Sequence, residues 1–537
     1  MTERGGRGAR GAWRRAVASL CAAALLGPAG WAPVSAQNTL PALGDTDSAD
    51  FTVGAERKIG DEVMREIRAD PDYVDDPLLL EYLQTVWQPL VTASRGLGNI
   101  TADIDQRFAW EPFLVRDPSV NAFALPGGFV GVNLGLIALT TTRDELASVL
   151  AHEMSHVTQR HIARGITGNA RRTLVGLAAM ILGALAASRS SSPDAMTAVL
   201  AGSQAATIQS QLNFSRDVER EADRIGFQVM TAAGYAPGGM AAMFEKMEVS
   251  MRLNDFGGFP YLRTHPLTTE RIGEARARAS AREEAARTGT AAAMPRTSVL
   301  EHTVAQARAR VLMDTRVDAL RRWEARDADT EGNAADKLRA ACEGALGASL
   351  LRDWSRADAS FARALALTRG SPNSSARAER AVVLMQAQSL LDRGDARRAA
   401  DASAAYANDG SRPSLLLQTQ IALAATPQVA PDNAALKTRA AELQTWVAVH
   451  GDDSLAWGAL GQTWARLGVP LRSLRAEAES RYALGDLLGA VDRLRAGQRV
   501  ARGGGPIDFI DASVIDSRLR AIEAQRKQIE VDQRASR

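Results

Sequence analysis

The chain has 537 residues, of which 23% are charged, and a formal net charge of +2 at pH 7. This length exceeds one typical hydrophobic core, so we expect two or more domains. The charge is too close to neutral for electrostatic binding to nucleic acid, which we exclude from the expected partners.

The first 36 residues predict a cleavable export signal. Five arginines are followed by an apolar run from Ala16 to Leu26, and the small residues Val34-Ser35-Ala36 precede the expected cut. The signal carries five arginines and one glutamate, so its removal changes the net charge from +2 to −2. Cys342 is then the one cysteine left, and the fold cannot depend on an internal disulfide.

His152-Glu153-Met154-Ser155-His156 is the most informative motif in the chain. Two histidines four residues apart lie on one face of a helix, where both imidazoles can reach one Zn²⁺ ion. A glutamate next to the first histidine can act as general base for a water molecule at that ion. Thr142-Arg143-Asp144-Glu145 predicts a capping box at the start of the helix, and Gly165 is placed to end it. The alternative is a surface helix with two incidental histidines.

Two apolar stretches follow, Leu174–Ala187 and Ala195–Ile208. Fourteen residues are too few to cross a hydrocarbon core of about 30 Å, which takes about 20 residues. We therefore expect no transmembrane span in the mature chain. The segment 174–208 is compatible with two core helices and equally with a lid that contacts unfolded client proteins or a membrane surface.

A second helical pattern begins with Ser215 as its N-cap and ends at Gly234. Glu219 and Asp223 are four residues apart and therefore share a face. One of them can bind the metal while the other orients a ligand histidine. Glu221 points away from that face and is the poorer candidate. The alternative is a solvated helix of mixed charge, which the upstream motif disfavours.

The chain has six histidines, and four of them lie outside the first motif. His161 is five residues past His156 and off the ligand face, so we expect it to be structural or exposed. His302 and His450 lie in helical contexts in the second half of the chain, and we interpret them as unrelated to the metal. His265, judged by spacing alone, is a loop histidine.

A domain boundary is predicted within Ala275–Thr297, which is rich in alanine, arginine and glutamate and has little apolar periodicity. We assign residues 281–300 to a linker and residues 301–537 to an α-helical domain of tetratricopeptide-like (TPR-like) repeats. Trp457-x2-Leu460-Gly461-x2-Trp464 follows the first half of such a repeat. Further partial matches contain Ala357, Phe361, Ala364, Ala387, Gly394, Ala399, Ala478, Gly485 and Ala490. The alternative is a generic α-helical bundle.

These motifs resemble the M48 family of zinc metallopeptidases, whose HExxH sequence is completed by a downstream ExxxD. Here the second motif runs from Glu219 to Asp223. The resemblance covers roughly residues 45 to 280. Three further segments are similar to the family's catalytic domain: Asn121–Asn133, Leu134–Ile137, and Thr264-His265-Pro266 with Arg271.

The resemblance implies an HExxH zinc metallopeptidase domain over residues 37–280, mainly α-helical with a small β element. One Zn²⁺ ion per chain is expected, bound by His152, His156 and Glu219. Glu153 is the expected general base. Asp223 is expected to orient a ligand histidine.

His265 has two roles that are compatible with the resemblance. As a fourth ligand it blocks the position of the catalytic water, whereas as a hydrogen-bond donor it stabilises the developing oxyanion. Arg271 is a further candidate for transition-state or structural support. The resemblance also implies that substrate binds in an extended conformation, as an added strand, along the edge that contains Asn121, Ala122, Phe123 and Ala124.

The export signal and the helical repeats imply a periplasmic branch of the family. The expected function is zinc-dependent endopeptidase activity, with chaperone activity, in the assembly and quality control of outer-membrane β-barrel proteins. Expected partners are unfolded or misassembled outer-membrane proteins and the β-barrel assembly machinery, reached through the repeats, with peripheral membrane contact through 174–208. The alternative is a chaperone or assembly adaptor built on the repeats, with an idle or autoinhibited zinc site.

Overall fold

The computed structural model describes residues 52–165, 216–253, 261–289, 299–326, 332–369, 375–503 and 508–535. Three sequence predictions fall outside these ranges: the export signal 1–36, the apolar segment 174–208 and the helix cap at Ser215. All the described residues belong to one compact unit, Ser48–Arg537.

The described part before residue 290 combines helices with a small sheet. Its helices are α1 (Val53–Arg68), α2 (Pro77–Gly96), α3 (Ala102–Arg107), α4 (Leu134–Leu139), α5 (Arg143–Thr158), α6 (His161–Gly165), α7 (Arg216–Ala232), α8 (Gly238–Leu253), α9 (Tyr261–Thr264) and α10 (Thr269–Arg287). Its strands are β1 (Tyr73–Val74), β2 (Glu111–Val115), β3 (Ala122–Leu125) and β4 (Phe129–Asn133). The prediction of a mainly α-helical chain with a small β element is confirmed.

The described strands form one sheet in the order β1-β2-β4-β3. β2 and β4 run parallel, whereas β1 and β3 pair antiparallel with their neighbours. The β3–β4 hairpin turns through Gly127 and Gly128, whose φ angles of 80° and 88° are adopted without strain only by glycine. Among these strands β3 lies at an edge of the sheet, with Ala122 opposite Val132.

The sheet and helices α2, α5 and α7 share one hydrophobic core. Trp87 on α2 is fully buried, and its Nε1 donates a hydrogen bond of 2.8 Å to the carbonyl oxygen of Trp110, which ties α2 to the start of β2. α7 approaches α5 closely at Gly226, where an added Cβ atom would lie 3.1 Å from the backbone of Ala151 and His152. This close approach brings α7 beside the HExxH motif.

Every regular element described after residue 298 is helical. These helices are α11 (Val299–Met313), α12 (Val317–Arg326), α13 (Ala334–Leu350), α14 (Trp354–Arg369), α15 (Ala376–Asp392), α16 (Ala396–Ser403), α17 (Arg412–Ala425), α18 (Ala434–Val449), α19 (Ser454–Arg466), α20 (Pro470–Ala483), α21 (Leu487–Arg502) and α22 (Phe509–Ala535), with a short 3₁₀ turn at Ala404–Tyr406. Among the described helices, none combines the length and the apolar composition needed to cross a membrane.

Helices that follow each other in this region pack together, most extensively α13 with α14, α19 with α20, and α20 with α21. The alanines and the phenylalanine singled out by the repeat pattern are fully buried: Ala357, Phe361, Ala364, Ala387, Ala399, Ala478 and Ala490. Gly394, Gly468 and Gly485 follow helices and have φ angles between 73° and 89°. These positions show why small residues are needed there, while the TPR-like assignment stays a prediction.

Helix α11 joins the helical region to the sheet-containing part. Nε2 of His302 lies 2.8 Å from the carbonyl oxygen of Thr140, and Nδ1 of His302 lies 2.5 Å from the hydroxyl of Tyr82 on α2. Arg308 donates two hydrogen bonds, of 2.8 and 2.6 Å, to the carboxylate of Asp76, which caps α2. α11 therefore packs against both α2 and the segment that precedes α5.

Candidate metal centre

Helix α5 carries the HExxH motif in a buried position. It begins after Thr142, whose hydroxyl accepts a hydrogen bond of 3.2 Å from the backbone N–H of Glu145. The Glu145 carboxylate accepts from the backbone N–H of Thr141 instead of Thr142. The predicted capping box is therefore incomplete, although the predicted start of the helix is correct.

The end of α5 differs from the sequence prediction. The helix ends at Thr158 rather than at Gly165. Arg160 adopts a left-handed conformation with φ of 51°, which interrupts the helix, and its Nε donates to Oε2 of Glu56 at 3.0 Å. The chain then continues into the short helix α6, which starts with His161.

Four buried side chains converge beside α5: His152, His156, Glu219 and His265. Nε2 of His152 lies 3.0 Å from Nε2 of His156 and 3.4 Å from Oε2 of Glu219. Nε2 of His156 lies 3.6 Å from Oε1 of Glu219. The three residues predicted as zinc ligands are thus brought together, with His265 as a fourth member of the cluster.

These separations fit a bound metal ion. Zinc binds nitrogen and oxygen at about 2.0–2.2 Å, so ligand atoms in a tetrahedral site lie about 3.3 Å apart. The three separations among the predicted ligand atoms range from 3.0 to 3.6 Å. Oε2 of Glu219 is buried, forms an ion pair with Arg271 at 2.9 Å, and accepts no hydrogen bond of good geometry from the described residues. The donor set of two imidazoles and one carboxylate also suits zinc.

Asp223 and Arg271 form a hydrogen-bonded network beside the candidate ligand His152. Oδ1 of Asp223 accepts a hydrogen bond of 3.0 Å from Nδ1 of His152. Arg271 on α10 donates to both oxygens of Asp223 at 2.7 and 2.8 Å, and its Nη1 donates to the carbonyl oxygen of Pro266 at 2.8 Å. All three nitrogens of the guanidinium are therefore engaged by protein oxygens, which favours a structural role for Arg271.

The charges within the cluster shift the pKa values of its members. Burial lowers the pKa of His152, but the neighbouring carboxylates of Asp223 and Glu219 outweigh burial and raise the pKa to about 10. Burial raises the pKa of Glu219, but His265 and His152 hold it well below its usual range. A proton on Nε2 of His152 competes with a metal ion for the same lone pair, so metal binding at this position would release a proton.

Glu153 lies fully buried next to the cluster. Its Oε2 accepts a hydrogen bond of 3.1 Å from the backbone N–H of Ala124, and its Oε1 lies 3.6 Å from Nε2 of His265. Burial raises the pKa of the Glu153 carboxyl, and this effect exceeds the opposing influence of His265 and His152. A carboxylate with a raised pKa accepts protons more readily near neutral pH, as a general base requires.

His265 contacts residues of both α5 and α7 within the cluster. It follows α9, and its ring stacks on Tyr261 with 4.6 Å between ring centroids. Its Nδ1 lies 2.9 Å from Oε1 of Glu219 and 3.4 Å from Nε2 of His152. The loop position expected from spacing is therefore compatible with direct contact to the ligands, which spacing alone could not reveal.

His161 and Glu221 are contacts that the sequence reasoning missed. His161 is 2% exposed, and its Nδ1 lies 2.9 Å from Nδ1 of His156. Its Nε2 lies 3.1 Å from Oε2 of Glu221 on α7. Helical spacing could not signal this contact, because His161 lies beyond the left-handed break at Arg160. His302 and His450 lie outside the cluster, as expected from the sequence.

The predicted substrate-binding residues lie on and beside the edge strand β3. The carbonyl oxygen of Asn121 accepts a hydrogen bond of 3.1 Å from the backbone N–H of Asn133, so Asn121 faces the neighbouring chain segment. Hydrogen-bonding direction alternates along an antiparallel strand, so Phe123 also faces β4 while Ala122 and Ala124 face outward. The contact from Ala124 to Glu153 agrees with this alternation.

The sequence profile of peptidase family M48 matches residues 88–279. The chain is 36% identical over 253 residues to the putative beta-barrel assembly-enhancing protease of Vibrio cholerae. The aligned residues make up 46% of this chain and 49% of the relative. It is 35% identical over 269 residues to the beta-barrel assembly-enhancing protease of Escherichia coli K12, and these residues make up 49% of this chain and 52% of the relative. These matches span about half the length of the curated bacterial relatives.

A more distant relative is the mitochondrial metalloendopeptidase OMA1 of Schizosaccharomyces pombe. It is 30% identical over 229 residues, which cover 42% of this chain and 60% of the relative. The range matched by the family profile contains every residue of the buried cluster together with Glu153. Residues 88–279 of this chain are therefore a peptidase family M48 domain.

Proposed function

We propose that this chain is a zinc-dependent endopeptidase. The observation that carries the proposal is the buried cluster of His152, His156 and Glu219 with the Glu153 carboxylate beside it. The M48 domain supports the same activity, and the relatives bear the names of proteases and metalloendopeptidases. His152, His156 and Glu219 would hold the zinc ion, which when bound would supply a Lewis acid able to polarise a scissile carbonyl and to lower the pKa of a water molecule to about 7.

The side chains around the cluster have separable tasks. Glu153 accepts a proton from the attacking water and passes it to the departing amine. Asp223 accepts from Nδ1 of His152 and so keeps Nε2 of that ring directed at the cluster. Arg271 fixes Asp223 in turn. His265 lies between the ligands and Glu153, where it restrains access to the site until the loop that carries it moves.

Substrate binds as an added strand along β3. The outward-facing backbone of Ala122 and the carbonyl group of Ala124 offer hydrogen bonds to an extended peptide, and Glu153 lies directly beneath this edge. Recognition through backbone groups depends on an extended, unfolded chain more than on its sequence. This property suits an enzyme that removes misassembled proteins.

The proposed biological role is assembly and quality control of outer-membrane β-barrel proteins in the periplasm, with chaperone activity. The names of the bacterial relatives support the role, and residues 1–36 serve as the cleavable export signal. Residues 37–280 form the peptidase domain, 281–300 the linker and 301–537 the TPR-like repeats. The repeats contact misassembled outer-membrane proteins and the β-barrel assembly machinery. A purely non-catalytic adaptor is disfavoured because it has no need of Glu153.

The activity is tested on purified mature protein with an unfolded outer-membrane protein or casein as substrate. We expect cleavage that a zinc chelator stops and that added zinc restores, with one zinc ion per chain by elemental analysis. Cleavage that continues unchanged after complete metal removal would show that the cluster is not the catalytic centre. A chain that binds zinc and prevents aggregation of the substrate without cleaving it would support the adaptor instead.

A further inference from the structure

The two ligand histidines are supported in different ways. Nδ1 of His152 contacts a carboxylate directly, since Oδ1 of Asp223 lies 3.0 Å away. Nδ1 of His156 contacts another imidazole instead, with 2.9 Å to Nδ1 of His161. A contact between two ring nitrogens is a hydrogen bond only when one carries a proton and the other does not. The protonation pattern of this pair therefore decides which nitrogen of His156 carries the lone pair that a metal can bind.

The contact made by Nε2 of His161 defines which nitrogens of the two rings are protonated. Its Nε2 lies 3.1 Å from Oε2 of Glu221, and a carboxylate can only accept. Nε2 of His161 therefore carries the proton, and Nδ1 of the neutral ring carries a lone pair. That lone pair accepts the Nδ1–H of His156, which leaves Nε2 of His156 unprotonated and facing His152 Nε2 at 3.0 Å. This is the tautomer that a metal ion requires.

We propose that His161 and Glu221 are positioning residues that set the metal-binding tautomer and the ring orientation of His156. The inference rests on the proposed zinc site and extends it outward by two residues. The relay runs from buried His161, whose side chain is 0% exposed, to Glu221, whose side chain is 30% exposed and lies 3.4 Å from Arg164 at the surface. Helix α7 thus supports both ligand histidines, one through Asp223 and the other through Glu221.

The consequence is an effect on zinc affinity. Loss of a partner that orients a ligand typically weakens metal binding by about 10- to 100-fold. His161→Phe keeps a planar ring of similar size but removes the acceptor for His156. His161→Gln retains an amide oxygen that can accept from Nδ1–H of His156, so it should restore part of the affinity. Glu221→Ala removes the far end of the relay and leaves His161 in place.

The test is zinc affinity of the full-length mature chain, measured by competition with a chromophoric chelator, together with the melting temperature in excess EDTA. His302→Phe is the matched control, because His302 is another buried histidine with two hydrogen bonds but lies outside the cluster. We expect His161→Phe to weaken zinc binding by about 10- to 100-fold, with His161→Gln intermediate. His302→Phe should lower the melting temperature and leave zinc affinity unchanged.

Zinc affinity of His161→Phe within twofold of the wild type overturns the proposal, and so does an equal loss in His302→Phe. If His161→Phe does not fold, the same measurement on Glu221→Ala decides, with at least severalfold weaker binding expected and unchanged binding contradictory. Long-range ¹H–¹⁵N correlations of the histidine rings give a second readout, which must show the proton of His156 on Nδ1. A wild-type chain that binds no zinc refutes the proposed function itself, whereas tight wild-type binding with unaffected variants refutes only the relay.

Discussion

The backbone N–H of Ala124 donates a hydrogen bond to Oε2 of Glu153 at 3.1 Å. This contact joins the edge strand β3, where we place the substrate, to the proposed general base on α5. It holds one carboxylate oxygen, while the other lies buried without a hydrogen-bond partner among the described residues. The carboxylate of Glu153 is therefore fixed beside β3, the strand along which we expect a peptide substrate to lie.

The first prediction concerns binding of substrate as a strand. The backbone groups of Ala122 and Ala124 face outward, whereas those of Phe123 face β4. A peptide bound along β3 can therefore donate hydrogen bonds to this strand only from every second backbone N–H group. N-methylation of a peptide substrate at one of these hydrogen-bonding positions should raise KM by about fivefold, because the peptide loses one hydrogen bond worth about 1 kcal/mol. Methylation at a second such position should raise KM by a further factor of about five. Methylation at the intervening positions is the matched control. Equal tolerance at every position would contradict the strand mode.

The second prediction distinguishes Glu219, a proposed metal ligand, from Glu221, which contacts the metal site through His161. Glu219→Gln removes the anionic ligand and should weaken zinc binding beyond the roughly 10- to 100-fold range of an orienting residue. Glu221→Gln keeps an amide oxygen that can accept from Nε2 of His161, so its effect should be smaller. Elemental analysis after dialysis compares the two variants. Loss of zinc from Glu221→Gln alone would mean that α7 presents a different face to α5.

The third prediction concerns His265. If this residue restrains access to the site, His265→Ala should raise basal proteolysis or self-cleavage severalfold while zinc is retained. His450→Ala, which changes an exposed histidine stacked on Trp446, serves as the control. Retained zinc with a loss of activity in His265→Ala would instead identify His265 as a stabiliser of the transition state.

The fourth prediction is a dependence of stability on pH at the contact between α2 and α11. Asp76 is buried, which raises its pKa, but Arg308 outweighs burial and lowers it. A lowered folded-state pKa contributes stability above the unfolded value of about 3.9, and this contribution is lost as pH falls through the folded value. Asp76→Asn keeps the helix cap but breaks the ion pair, and should cost about 3–5 kcal/mol of unfolding free energy at pH 7.

Urea unfolding at pH 7 and near pH 3 checks this prediction. The difference between the wild type and Asp76→Asn should shrink at the lower pH, because below about pH 3.9 the unfolded wild-type chain binds a proton at Asp76 that the folded ion pair excludes. Asp486→Asn is the control, since Asp486 also caps a helix but is exposed in its ion pair with Arg481. A wild-type advantage that stays constant with pH would show that the Asp76–Arg308 pair is not its source.

Local periodicity was sufficient to predict much of the site. His152 and His156 share a face because residues four apart do so in any helix, and the same rule pairs Glu219 with Asp223. Close packing of α5 and α7 through Gly226 then brings the two motifs together. The convergence of His152, His156 and Glu219 was predictable because each half of this set lies within one helix.

Contacts that depend on tertiary structure were not predictable in the same way. The partnership of His161 with His156 depends on the left-handed conformation of Arg160, and helical spacing placed His161 off the ligand face. The contact of His302 with Tyr82 and Thr140 depends on how α11 crosses α2. The sequence pattern around residue 300 shows a helix but does not show which surface that helix packs against.

The central claim, that Glu153 acts as general base at a zinc centre, is tested most directly by Glu153→Gln. The amide preserves the size of the side chain and the contact from Ala124, but it cannot accept the proton. The measurement is the rate of cleavage of an unfolded outer-membrane protein by the zinc-loaded wild type and variant, with zinc content determined for both. The account predicts unchanged zinc content and a rate at least about 100-fold lower in the variant; equal turnover at equal zinc content would contradict it.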